Sequence, residues 1–235
     1  MFFEVKNLSK SFGDFVAVNN VSIGFERNKI TAIIGPNGAG KTTFVNLCSG
    51  YLKPSSGDIY FAGKNITKHK IHQRANLGIA RTFQIINIFQ GLSVMRNVKI
   101  PLLSRKDVKD IEGAIINLLC SFELDRIKYS IASEISHGDQ RLLEMCMALA
   151  LKPKLLFLDE PLAGINPADR GKIIDKIFEM KNQGITIIFI EHDIESVLKM
   201  ADEIIVMHRG EIIAKGEPDS IKENEFVKKV YLGGQ

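Results

Sequence analysis

The sequence predicts an α/β fold built on a buried parallel sheet, and three observations predict it. A short apolar run at residues 29–34 (KITAII) passes through a glycine-rich loop into residues 43–48 (TFVNLC), which read as the first turns of a helix. Two later runs, 155–158 (LLFL) and 185–190 (ITIIFI), are almost continuously apolar, as strands buried on both faces of a parallel sheet are. From residue 88 to about 149, helical patterns replace β-branched runs, so a helical lobe is inserted into the sheet-forming chain.

In chain order, residues 3–8 and 15–25 alternate as strands, with turns at Ser11-Phe12-Gly13-Asp14 and Glu26-Arg27-Asn28. Residues 53–58 (KPSSGD) form a turn before a strand at 59–63. Residues 68–75 are polar and helical in pattern. His69 and His72 are spaced there for one helix face with no third ligand nearby, so a solvated face is expected. Residues 78–84 form a strand-like run ending in Gln84. A helix is expected over 168–183, closed by Gly184, then a hairpin whose strands at 204–207 and 211–214 flank Arg209-Gly210. The tail from 218 to 235 reads as helical.

The 235 residues carry a net charge of +4 with positive residues scattered, which by itself points to neither nucleic acid nor a membrane surface. Cys48, Cys120 and Cys146 lie among apolar residues without metal-ligand spacing, so all three are expected as buried, reduced thiols. No apolar run approaches the length that spans a bilayer. If the protein works at a membrane, another chain must span it.

Four motifs carry chemistry. Residues 35–43 (GPNGAGKTT) match the phosphate-loop pattern, with Gly35, Gly40, Lys41 and Thr42 at its fixed positions. Gly38 and Gly40 permit close backbone approach. The N–H groups of a loop through Asn37, Gly38 and Ala39 can wrap a phosphate chain at a helix N-terminus. Lys41 then reaches the β- and γ-phosphates, Thr42 ligates Mg²⁺, and Thr43 adds a second hydroxyl. The expected ligand is ATP or another nucleoside triphosphate.

In the second motif, Asp159 and Glu160 emerge at the C-terminal end of the 155–158 strand, the edge where parallel sheets bind ligands. Neighbouring strand residues point to opposite sides, so Asp159 is assigned to magnesium and Glu160 to the attacking water as general base. The third, Glu191-His192-Asp193, ends the 185–190 strand and brings His192 to the same edge. The fourth is Ile135-Ser136-His137-Gly138-Asp139-Gln140-Arg141 ahead of a long helix. Ser136 and Gly138 make an anion-binding helix start without a lysine of its own, which suits a surface completing a site on another subunit.

Together with Gln84, these motifs resemble the nucleotide-binding subunit of an ABC transporter across nearly the whole chain. The resemblance implies a single ABC ATPase domain over residues 1–235. Its parts are a P-loop RecA-like core, an antiparallel β subdomain, a helical subdomain at about 88–150, and a C-terminal helical tail. It implies ATP and Mg²⁺ as cofactors, Phe12 stacking on the base, and Gln84 contacting magnesium and water while opening the segment that faces the membrane partner. By the same resemblance Ser136 and Gly138 would cap ATP on a second ATPase in a head-to-tail dimer, and residues 163–166 would link the two sites.

Arg81-Thr82-Phe83-Gln84, residues 163–167 (AGINP) and the ending Tyr231-Leu232-Gly233 resemble ATPases of branched-chain amino acid importers. Those act in pairs with transmembrane permeases and, indirectly, an extracytoplasmic binding protein, on the cytoplasmic face of the cell membrane. ATPases for urea or short amides, and those extracting lipopolysaccharide, share most of these motifs. A soluble ABC ATPase acting on DNA or the ribosome usually carries tandem cassettes, zinc modules or coiled-coil insertions, which this chain lacks, so no nucleic acid is expected. A phosphoryl-transferring P-loop kinase is disfavoured by the 135–141 motif and His192. Two departures stand out: Asp139 where the signature usually has glutamine, and Asn166 where the inter-site loop commonly has aspartate.

Overall fold

The computed structural model describes residues 1–229. The ending Tyr231-Leu232-Gly233 and the last part of the expected tail lie outside the described residues.

A hairpin of β1 (Phe3–Phe12) and β2 (Phe15–Phe25) opens the chain, and β3 (Ile30–Ile34) runs into α1 (Lys41–Ser49). Next come β4 (Ser56–Phe61), the two-residue β5 (Lys64–Asn65), α2 (Ile71–Leu77) and β6 (Ile79–Arg81). The chain then passes through α3 (Val94–Leu103), α4 (Ile111–Ser121) and α5 (His137–Ala150) with no strand among them. It returns through β7 (Leu155–Asp159), α6 (Pro167–Asn182), β8 (Thr186–Ile190) and α7 (Ile194–Met200). The hairpin of β9 (Glu203–His208) and β10 (Glu211–Gly216) and then α8 (Pro218–Glu223) follow.

The strands form two sheets, a four-stranded one in the order β2-β1-β4-β5 and a six-stranded one in the order β10-β9-β3-β8-β7-β6. The first is antiparallel throughout. The second is parallel except for β10.

The absence of alternation in residues 155–158 and 185–190 has its cause here. Leu156, Leu158, Ile187 and Phe189 pack with the helices α3 to α6 on one face of the large sheet. Leu155, Phe157, Ile188 and Ile190 pack on the other face with α1 and the small sheet. Both sets are fully buried, so both phases of the two-residue repeat must be apolar. Register then levels the sheet's edge: Ile190 stands opposite both Ile33 and Asp159. The loops after β3, β7 and β8 therefore leave the sheet side by side.

Several boundaries differ from expectation. Ser11 and Phe12 belong to β1, with Phe12 paired to Phe15, so the first turn is Gly13-Asp14 alone. The run 78–84 is a strand only at Ile79–Arg81. One further ladder bond, Thr82 N–H to the Phe157 carbonyl, ends it, and side chains of α5 take over the following backbone. The short helix α7 carries no period long enough to be read. Helix α2 starts at Ile71 because the Gln73 side-chain oxygen accepts from the Lys70 N–H at 2.8 Å. His69 thus stands ahead of the helix and does not share a face with His72. Cys48 and Cys146 are buried as expected, and burial pushes both thiols up. Cys120 is exposed. On α4 the buried face runs through Ile115 and Leu119, and Cys120 is one residue, about 100°, off it. Asn224 breaks the tail, separating α8 from a short helical turn at Glu225–Val227.

Candidate functional site

The phosphate loop leaves β3 at Gly35, whose added Cβ would stand 2.1 Å from the Met207 carbonyl oxygen. Gly40 at φ +95° is the N-cap of α1, and a Cβ there would meet the Ala17 carbonyl oxygen at 2.3 Å. Both positions exclude side chains on contact alone. The turn between β9 and β10 braces the loop from outside, through the Gly210 N–H to the Ala39 carbonyl at 3.0 Å. Helix α1 then begins with the Phe44 N–H on the Gly40 carbonyl, and the first-turn N–H groups have no partner within the helix.

An open cleft of about 320 Å³ lies over the loop, lined by Asn37, Gly38, Ala39, Gly40, Lys41, Thr42 and Thr43 together with Gln84, Glu160 and His192. Gly35 is not among its lining residues. Lys41 is buried, and its ammonium donates to the Gly35 and Pro36 carbonyls at 2.7 and 3.0 Å. Burial pushes its pKa down, against the opposing charges of Glu160 and Asp159. A cation held by its own loop's carbonyls is ready to exchange them for phosphate oxygens.

Glu160 follows β7 in the left-handed backbone region at φ +49°, a conformation costing a non-glycine residue about 1–3 kcal/mol. That bend aims its carboxylate into the cleft, where Gln84 Nε2 donates to Oε2 at 3.0 Å and His192 Nε2 lies 3.1 Å from Oε1. Three sequence-predicted residues from three separate loops are thus in contact. Asp159 turns the other way, into a cavity it shares with Thr42, Gln84, Asn46, Tyr51, Arg81 and Phe83. Its Oδ2 accepts from Arg81 Nη2 at 2.8 Å, while Oδ1 is buried without a hydrogen-bond partner. Burial pushes this carboxyl above the ordinary range, and Arg81 pulls it back. The Asp159 carboxylate, the Thr42 hydroxyl and the Gln84 amide oxygen belong to residues lining one cavity, and a donor set of oxygens fits a magnesium ion.

Phe12 is half exposed but does not line the cleft; its ring carries the Lys10 ammonium 5.1 Å from its centre. Phe15, across the same turn, lines the cleft instead. Ser136 and Gly138 are also away from it. Ser136 caps α5, accepting from the Asp139 N–H at 3.1 Å and donating to Asp139 Oδ2 at 2.7 Å. Gly138 faces Asp169 at the start of α6.

Four residues were given no role of their own in the sequence, although Arg141, Glu191 and Arg81 stand in quoted motifs. Arg141 and Glu144, both buried on α5 and paired at 2.8 Å, hold the segment carrying Gln84. Arg141 donates to the Phe83 and Gln84 carbonyls, and Glu144 Oε1 accepts from the Phe83 and Asn87 N–H groups. The signal was two charges inside an apolar helical run. Glu191, also buried, accepts from the Leu162 N–H at 2.8 Å and the His192 N–H at 3.1 Å. It ties the loop after Glu160 to the backbone of His192. The fourth is Arg81, quoted in the sequence only as part of a subfamily motif.

Residues 18–163 match the family model described as ABC transporter. The chain is 38% identical to a probable branched-chain amino acid transport ATP-binding protein LivG of Archaeoglobus fulgidus, over 99% of this chain and 95% of that one. It is 33% identical to the high-affinity LivG of Escherichia coli strain K12, over 97% and 96%. Two solved structures superpose with a TM-score of 0.89: a nucleotide-free ATP-binding cassette from an ABC transporter at 32% identity, and the ADP conformation of such a cassette at 33%. Each covers 98% of its own chain and 98% or 99% of this one. With a phosphate loop, a carboxylate, a glutamine and a histidine gathered in one cleft, and likeness over nearly its full length, the chain belongs to the ABC transporter family as an ATP-binding and ATP-hydrolysing subunit.

Proposed function

We propose that the chain drives an importer of branched-chain or chemically related amino acids, as one of two ATPases docked on transmembrane permeases at the cytoplasmic face of the membrane. The observation that carries the motor reading is the contact of Glu160 with both Gln84 and His192 above the phosphate loop. In this reading Asn37 to Thr43 wrap the phosphates of ATP, with Lys41 released from its loop carbonyls to the β- and γ-oxygens. Thr42, Gln84 and Asp159 would hold Mg²⁺, which when bound would supply neutralisation of phosphate charge. Glu160 takes the proton of the attacking water. His192 holds the Glu160 carboxylate and meets the γ-phosphate. Phe12 and Phe15 offer the aromatic surface for the base.

Ser136 and Gly138, absent from this chain's own cleft, complete the cleft of a second ATPase, identical or similar, in a head-to-tail pair. Residues 88–150 act as the helical subdomain that carries them. No helix among the described residues is long and apolar enough to cross a membrane, and permease subunits take that role. An extracytoplasmic binding protein acts indirectly, and no nucleic acid is involved. The names of the relatives support the amino-acid substrate.

The test is affinity capture from detergent-solubilised membranes, followed by reconstitution in vesicles with the co-purified binding protein. Two permeases, a second ATPase and ATP turnover stimulated by leucine support the reading. Stimulation by urea and not leucine redirects the substrate. Recovery of ribosomes or DNA-processing proteins without a permease overturns the transport role.

A further inference from the structure

The two oxygens of Asp159 are unequal. Oδ2 is held by Arg81 Nη2 at 2.8 Å, and Oδ1 is buried and unpartnered. Both side chains are nearly enclosed, Arg81 at 7% exposure and Asp159 at 2%. The guanidinium is fixed from every side. Its Nε donates to the Thr82 carbonyl at 3.2 Å, and Nη1 donates to Ser49 Oγ at 3.2 Å and to Asn46 Oδ1. Its Cζ lies 5.2 Å from the Tyr51 ring centre and 4.8 Å from that of Phe83. These two rings meet edge-on, 5.1 Å apart, in the cavity that Asp159 also lines.

Stability is a poor reason for this pair. Burying a guanidinium and a carboxylate costs desolvation that their attraction repays only in part. The strands do not need it either, since β6 and β7 are already joined by their backbone ladder. What the pair does is decide which carboxylate oxygen is free. Arg presents a rigid planar fork, and this fork is itself anchored to α1 through Asn46 and Ser49, the helix whose second residue is Thr42. The guanidinium therefore ties the Asp159 carboxylate to the element that carries Thr42.

We propose that Arg81 is the positioning residue of the magnesium site: it grips Asp159 through Oδ2 so that Oδ1 is left for the ion or a water bound to it. The inference rests on the reading of Thr42 and Asp159 as the metal's ligands. Carboxylates that bind metals are oriented by hydrogen bonds of their own, and losing such a partner typically costs about 10–100-fold in metal affinity. An aspartate freed from Arg81 can rotate, so that neither of its oxygens is held in place for the ion.

The experiment measures binding and not turnover. Fluorescent N-methylanthraniloyl-ATP is titrated onto the wild type, Arg81→Met and Arg81→Lys in EDTA, and Mg²⁺ is then added stepwise at fixed nucleotide. Arg81→Met is expected to raise the Mg²⁺ concentration for half-maximal tightening by about tenfold or more, with affinity in EDTA unchanged. Arg81→Lys is expected to fall between, because a point charge replaces the fork. A wild-type Mg²⁺ midpoint in Arg81→Met overturns the proposal, as does an equal loss of affinity with and without Mg²⁺. Should Arg81→Met fail to fold, Arg81→Lys decides on the same two criteria. A wild type whose affinity ignores Mg²⁺ removes the metal reading itself, which is distinct from a wild type that responds alongside variants that respond equally.

Discussion

Glu160 shows how much a single residue can be asked to do. Its left-handed backbone turns the carboxylate away from the side taken by Asp159 and into contact with Gln84 and His192. Glu160→Gln keeps the shape and removes the carboxylate proposed as the base. Phosphate release is expected to fall by about 10²- to 10⁴-fold, while ATP binding survives and a closed, ATP-bound dimer accumulates in gel filtration. Equal turnover removes Glu160 from the base role. Glu191 makes a different prediction. Burial raises its pKa above the ordinary 4.5, so its neutral form is favoured by folding. Its contribution is fully present below the unfolded value and is lost as pH rises through the folded one. The stability advantage of wild type over Glu191→Gln, followed by urea unfolding, is therefore expected to shrink from acid toward neutral pH. An advantage that grows over this interval shows that the two accepted N–H bonds outweigh burial. Glu160 and His192 were legible because each follows an apolar strand at its C-terminal end. Arg81 and Glu191 stand in quoted motifs without a role of their own, because each acts on a group of this chain, 78 and 29 residues away, and not on a ligand at the sheet's edge.

At the scale of elements, α5 does more than begin with the signature motif. Through Arg141 and Glu144 it replaces the strand ladder that β6 abandons after Thr82, holding the backbone at Phe83, Gln84 and Asn87. Arg141→Ala leaves the Glu144 carboxylate buried and unpaired, and is expected to cost about 3–5 kcal/mol in urea unfolding. Arg141→Met combined with Glu144→Leu removes both charges and is expected to cost less than the single change. A double variant worse than the single one makes the backbone bonds, and not the uncompensated charge, the larger quantity. Periodicity correctly gave the helices α1, α5 and α6 and the strands of the large sheet, since long buried elements leave strong patterns. It overextended β6, because Thr82, Phe83 and Gln84 have strand-like side chains and only the side chains of α5 decide where their backbone bonds go.

At the scale of the whole molecule, the sequence motifs stand in two separate places. The cleft gathers the phosphate loop, Gln84, Glu160 and His192, while Ser136 and Gly138 stand elsewhere, at the start of α5. On the proposal that Ser136 and Gly138 act on a second subunit, Ser136→Ala is expected to leave nucleotide affinity at low protein concentration unchanged. Turnover is expected to fall by about tenfold, the worth of one hydrogen bond to a charged group. In the wild type, turnover per chain is expected to rise with protein concentration. A constant specific activity, or a Ser136→Ala variant with reduced monomer affinity, contradicts the shared site. Asp139 enters here too, since its carboxylate already accepts the Ser136 hydroxyl at 2.7 Å.

By itself the sequence determined the parallel core, the phosphate loop, the two carboxylates at a strand end and the family. Each of these rests on local order: a glycine spacing, an unbroken apolar run, a polar residue directly after it. The tertiary structure alone decided which side chains share a space. It put Phe15 and not Phe12 in the lining of the cleft, turned Cys120 outward, and set Arg81 on one oxygen of Asp159. Those outcomes depend on register between strands and on the rotation of helices against the sheet. Such distances are fixed only when the apolar faces pack, and no window of neighbouring residues contains them.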